Sequence, residues 1–259
     1  MHIELEGIAV VTGGGNGIGA AIAKMLAEAG AQVAIIDVDA LAADDIARAV
    51  GGRGFACDVA DEAAVQTTAK RIMQTMGKPR YLVNNAGVVS APGQPFTENT
   101  EDDWDRTFAI NVKGAAFWAG ALRENLIANE GRIVNVTSIT GIIAAPFMPP
   151  YSVSKAAANG LTRVLARQFA PDKVSVNAVA PGFVWSPLWE DLGEVMAAAS
   201  NGVQGSTASE VFDGRIRDLV PMGRPQSPED VAAMVTFLCS DFAANISGQI
   251  IGVDGGITI

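Results

Sequence analysis

The sequence predicts an α/β fold: a single domain built on a doubly wound parallel sheet of about seven strands, with helices on both faces. Three observations carry this expectation. Short β-branched runs alternate along the chain with longer alanine-rich segments of helical period. The short runs are apolar at successive positions, as strands covered on both faces must be. At 259 residues and 49% apolar composition, with no internal repeat and no low-complexity linker, the chain suits one large core.

Taken in order, IAVVT (8–12) is the first strand and IGAAIAKMLAEAG (18–30) the first helix. QVAIID (32–37) with ALAADDIARAV (40–50) repeats that unit, and FACDV (55–59) with DEAAVQTTAKRIMQTMG (61–77) repeats it again. YLVNN (81–85), RIVNVTS (132–138), KVSVNAV (173–179) and QIIGVD (249–254) supply the remaining strands, and the run AAANGLTRVLARQFA (156–170) is a helix. Gly and Pro punctuate strand ends and mark no domain boundary. One stretch, 185–224, shows no clear periodicity and reads as a long connection after the sixth strand. Such loops in compact domains are commonly functional lids, so it is the expected substrate-binding loop.

Composition excludes several function classes. A formal net charge of −10, with no run of Lys or Arg, argues against a nucleic acid or membrane-surface partner. No apolar stretch approaches the roughly 20 residues that span a bilayer, and the opening MHIELEG carries acidic groups with no signal core, so a soluble cytoplasmic protein is expected. Cys57 and Cys239 lie inside apolar segments and read as reduced core thiols. The sole histidine, His2, is too close to the terminus to serve a triad or a catalytic zinc site. Acid–base chemistry must therefore come from Tyr, Lys, Asp, Glu or a thiol. The acidic cluster Glu101, Asp102, Asp103 and Asp105 stands where a helix should begin, and carboxylates are favourable there without any metal.

After the first strand comes TGGGNGIG (12–19). Gly13, Gly17 and Gly19 let the backbone approach a pyrophosphate, while Asn16 and Ile18 place the next helix's free amides and positive dipole end towards it. The spacing departs from the general G-x-G-x-x-G fingerprint, but strand, glycine turn, helix and strand follow in the expected order. Asp37 ends the second strand at about the 20-residue offset from which a carboxylate accepts from ribose hydroxyls. It would repel a 2′-phosphate, and Val38 offers no guanidinium in compensation, so NAD is the expected cofactor. Capping of the next helix is the alternative for Asp37. Asp58, with Val59, would face the adenine, or Asp58 would cap the helix that starts near Glu62.

In YSVSK (151–155), a tyrosine precedes a lysine by one helical turn, in a chain with only two tyrosines. A neighbouring ammonium favours the phenolate and should lower the phenol's pKa from about 10. Together TGGGNGIG, NNAG (84–87), Asn111 in INVKG, Ser138 in VNVTSITG, YSVSK and APGFV (180–184) resemble the short-chain dehydrogenase/reductase family over essentially the whole chain. The resemblance implies Tyr151 as general acid/base, Lys155 as its cationic partner and a ligand of the nicotinamide ribose, and Ser138 as the holder of the substrate oxygen. It implies that Asn111 distorts its helix and anchors a water on a proton path. Asn85, Ala86 and Gly87 would lie against the cofactor, Asn84 and Asn85 would bond the central strands, and Pro181, Gly182, Val184 and Ser186 would meet the nicotinamide. Ser186 departs from the usual Thr, and Tyr81 stands where an acidic residue is common and is read as structural.

The expected pocket wall is Ile139, Ile142, Phe147, Met148, Trp185, Leu188, Trp189 and Met196, a mainly apolar set. It favours a small neutral secondary alcohol or ketone, such as a diol, polyol or cyclic alcohol, and the 185–224 stretch resembles that of polyol, acetoin and butanediol dehydrogenases. No metal is required. The rivals are a 3-oxoacyl carrier-protein reductase, which usually takes NADP, and a catalytically silent NAD-binding regulator. The family resemblance further implies a homotetramer, with GQIIGVDGGITI (248–259) at a subunit interface.

Overall fold

The computed structural model describes residues 2–199 and 207–259. Its seven strands are β1 (Ile8–Thr12), β2 (Gln32–Asp37), β3 (Arg53–Ala56), β4 (Pro79–Asn84), β5 (Arg132–Val136), β6 (Ser175–Pro181) and β7 (Ile250–Val253). All pair in parallel, in the order β3-β2-β1-β4-β5-β6-β7. The chain runs outward from β1 to β3, then returns to pair β4 against β1's other edge. That reversal opens a crevice beyond the carboxyl ends of β1 and β4, where ligands of such sheets bind.

The helices are α1 (Gly17–Glu28), α2 (Ala40–Val50), α3 (Glu62–Thr75), α4 (Glu101–Phe108), α5 (Gly114–Ala121), α6 (Arg123–Ala128), α7 (Pro149–Phe169), α8 (Pro187–Ala199), α9 (Ala208–Leu219) and α10 (Pro228–Cys239). One face of the sheet buries Ile22, Leu26, Val231, Val235 and Leu238 of α1 and α10. The other buries Val65, Ile72, Trp118, Leu165 and Phe169 of α3, α5 and α7. Central strands are therefore apolar on both faces, which is why their sequences run apolar without alternation. Cys57 and Cys239 are buried free thiols, and burial pushes Cys239 up to about 12.

Local signals start the helices where the site needs them. Asp39 caps α2 and Asp61 caps α3. Thr100 and Asp103 close a capping box at α4, which accounts for part of the acidic cluster there. The expected irregular connection at 185–224 is corrected: α8 and α9 occupy most of it. They fold because Trp189, Leu192, Phe212 and Ile216 recur at helical spacing and bury a third cluster with Met148 and Val220. Residues 200–206 of that stretch, and the side chain of Leu188, lie outside the described residues.

Candidate active site

The glycine turn is held from two sides. Asn85 donates its side-chain amide to the carbonyls of Thr12 and Gly13, at 3.1 and 2.9 Å. The Thr12 hydroxyl in turn accepts from the backbone amides of Asn85 and Ala86. Gly19 packs so closely that a Cβ would lie 2.0 Å from the Gly13 carbonyl oxygen, so only glycine fits. Asn16, the N-cap of α1, makes no side-chain capping bond, which leaves the first amides of α1 unpartnered where Gly17, Ile18 and Gly19 line the crevice. At Gly17 a Cβ would meet no protein atom within 4 Å, so the backbone there faces open space. An amide-lined, Cβ-free cradle at a helix N-terminus fits the pyrophosphate of a dinucleotide.

Asp37 and Asp58 both line this crevice. Neither caps a helix, since Asp39 and Asp61 do that. Asp37 accepts from the Gly15 amide at 2.9 Å and from the Asp39 amide at 3.1 Å, which fixes its carboxylate across the end of the glycine turn. Val38 beside it is 75% exposed and brings no positive charge. Asp58 accepts from the Ala60 amide at 2.9 Å.

The crevice continues as one cavity of about 710 Å³. It brings together Gly13, Asn16, Gly17, Ile18, Gly19, Asp37, Val38, Asp58 and Val59 from the β1–β3 half of the sheet. From the β4–β7 half come Asn85, Ala86, Gly87, Ser138, Tyr151, Lys155, Pro181, Gly182, Val184 and Ser186. The Ser186 hydroxyl also accepts from the Trp189 amide at 3.3 Å, at the start of α8.

At the centre, Ser138 and Tyr151 line the cavity together, and the Lys155 ammonium stands 5.5 Å from the centre of the Tyr151 ring. Ser138 is set by an accepted bond from the Thr140 amide, 3.1 Å, in the turn after β5. Lys155 donates to the Val136 carbonyl at 3.0 Å and is buried. A Cβ on Gly87 would come within 3.3 Å of that ammonium. The expected lowering of the phenol's pKa is overridden by burial, which pushes Tyr151 up to about 12 against the opposing effect of the Ser138 hydroxyl. Burial likewise pulls Lys155 down to about 8.

Asn111 does not line the cavity. It lies behind it, in a π-helical turn (Ala109–Lys113) between α4 and α5, so the expected helix distortion is present. Its side chain accepts from the Val88 amide at 2.9 Å and donates to the Val88 carbonyl and the Ser154 hydroxyl at 3.0 and 2.9 Å. Asn84 donates to Asn135, and Asn135 to Thr162, at 2.9 and 2.8 Å, which ties β4, β5 and α7 together beneath the site. Tyr81 is a buried core residue with the Arg80 guanidinium over its ring.

Of the expected wall, Ile139, Phe147, Met148 and Trp189 line the cavity; Ile142, Trp185 and Met196 do not. Trp185 instead packs edge-on against Phe212 at 5.1 Å. Sequence reading missed Arg106 and Arg215, since arginines on helices carry no motif, and it gave Thr12, the first residue of TGGGNGIG, no role of its own.

The family model described as Enoyl-(Acyl carrier protein) reductase matches residues 13–258. The chain belongs to the short-chain dehydrogenase/reductase family. Among its short-chain dehydrogenase/reductase relatives, D-threitol dehydrogenase of Mycolicibacterium smegmatis is 37% identical, covering 100% of this chain and 96% of its own. Cis-4-hydroxycyclohexanecarboxylate dehydrogenase of Sinomonas cyclohexanicum is 39% identical, covering 98% and 97%. The structure of NAD+-bound xylitol dehydrogenase superposes with a TM-score of 0.88 at 33% identity, covering 96% of this chain and 98% of that one.

Proposed function

We propose that this enzyme transfers hydride between NAD and a small secondary alcohol or ketone of the diol, polyol or cyclic-alcohol kind. One observation carries the reading: Ser138, Tyr151 and the buried Lys155 line a single cavity with the amide-lined cradle and with the apolar Phe147 and Met148. Relatives that act on threitol and on a hydroxycyclohexane acid support the substrate class. When bound, NAD supplies the hydride acceptor. The residues of the cradle hold its pyrophosphate, Asp37 accepts from the adenosine ribose, and Lys155 donates to the nicotinamide ribose.

Tyr151 takes the hydroxyl proton of the alcohol during oxidation and returns it to the carbonyl oxygen during reduction, while Ser138 donates to that oxygen and steadies its developing charge. Asn111 holds the Val88 backbone and Ser154, which keeps Lys155 and Tyr151 in register for proton exchange with solvent. Pro181, Gly182, Val184 and Ser186 support the nicotinamide, and α8 and α9 border the substrate side. The fixed Asp37 and the uncharged Val38 select NAD over NADP, which weighs against a carrier-protein reductase. A silent NAD-binding regulator would not need Ser138, Tyr151, Lys155 and Asn111 together.

Tyr151→Phe is the direct test, with NADH absorbance as the readout. Turnover falls about 10²–10⁴-fold, while NAD affinity stays within a few-fold; unchanged turnover would sink the mechanism. Among the described residues no helix is long and apolar enough to cross a membrane. The protein works in the cytoplasm as a homotetramer, with the 248–259 segment, β7 and the exposed Ile259 included, at a subunit interface. Light scattering after size exclusion tests the tetramer.

A further inference from the structure

The cavity carries one feature that hydride transfer does not use. Arg215, on α9 between the buried Phe212 and Ile216, is half-buried and lines the same cavity as Ser138 and Tyr151. Its guanidinium carbon lies 5.9 Å from the centre of the Phe147 ring. A guanidinium at this range is attracted to the face of the ring, and its N–H groups stay available to a planar acceptor.

They find none in the protein. Among the described residues Arg215 makes no ion pair and donates no hydrogen bond, although the chain has 28 acidic residues against 18 basic. Of the acids nearby in sequence, Glu210 is held in the capping box with Thr207, and Asp213 and Asp218 are exposed. The carboxylates of the facing α8, Glu190, Asp191 and Glu194, are also exposed. The cavity that Arg215 lines also has the apolar side chains of Val89, Ile139, Pro146, Phe147 and Leu192 in its wall, none of which can accept a hydrogen bond.

We propose that Arg215 is a specificity-determining residue that binds a carboxylate at the far end of the substrate, so that the preferred substrate is a small hydroxy or keto acid with an apolar, ring-sized body. This rests on the hydride-transfer reading above and names the substrate class within it. Bidentate pairing of guanidinium with carboxylate supplies the selection, and the apolar wall strengthens it by excluding water.

Calorimetric titration of the NADH-saturated enzyme tests this without turnover, using cyclohexanecarboxylate, its neutral analogue cyclohexanemethanol, and erythritol. The acid binds about tenfold or more tightly than either neutral compound, and Arg215→Met removes that preference. Arg215→Lys retains part of it, and Arg217→Met, an exposed arginine on the same helix, leaves it intact. Equal binding of the neutral compounds, no binding of the acid, or an equal loss of acid and alcohol in Arg215→Met overturns the proposal. Turnover of cyclohexanol against 4-hydroxycyclohexanecarboxylate separates the two readings. Turnover without acid preference leaves the hydride reading standing and removes this one; acid-selective binding without turnover of either compound does the reverse.

Discussion

Tyr151 is a phenol that resists ionisation, because burial pushes it up to about 12 while pulling Lys155 down to about 8. Alcohol oxidation needs the phenolate and ketone reduction the phenol. The oxidation rate therefore climbs with pH above neutrality, whereas reduction does not, and opposing pH profiles of kcat/KM check this; a flat oxidation profile contradicts it. Above about 8 the Lys155 ammonium loses its proton, so Lys155→Met depresses oxidation most at and below neutral pH. At the other end of the site, Asp37→Ala with Val38→Arg removes a repelling carboxylate and adds a guanidinium, and the measured NAD to NADP ratio of kcat/KM falls or inverts. The placement of these residues was legible in the sequence, since spacing puts Tyr151 and Lys155 on one helical face and Asp37 at a strand end. The sign of the phenol's shift was not, because burial is a property of the packed chamber and no local pattern reports it.

At the scale of elements, α8 and α9 show what periodicity hides. Phe212 and Ile216 follow a capping box of Thr207 and Glu210, which is a helix-start signal. Gly214 and the flanking Pro221 and Pro225 masked it, and the apolar stripe gains its meaning only when the third cluster forms. Thr207→Ala removes the cap and costs about 1 kcal/mol of local stability; the substrate KM rises and the NAD KM does not, measurable by steady-state kinetics. Gly19→Ala acts on the opposite wall. Its Cβ would collide with the Gly13 carbonyl, so NAD affinity drops steeply while α8 and α9 keep their packing. The strands and their order needed no such context, since β-branched runs between helices of matching length admit few other arrangements.

Across the whole molecule, the crevice lies where the β1–β3 and β4–β7 halves of the sheet meet, so a dinucleotide touches both. Thermal unfolding should be one cooperative transition, and NADH at about a hundred times its Kd adds about 2.7 kcal/mol. NADPH at equal concentration gives a smaller rise, and calorimetry reads both. The π-helical turn at Ala109–Lys113 has its own consequence for this architecture. It winds one surplus residue into an otherwise regular coil, and that surplus aims Asn111 at Val88 and Ser154. Excising a single residue there would make the coil more ideal by its own hydrogen-bond geometry, yet swing Asn111 by about 100° around the axis. Better helix and working enzyme are thus mutually exclusive at this point.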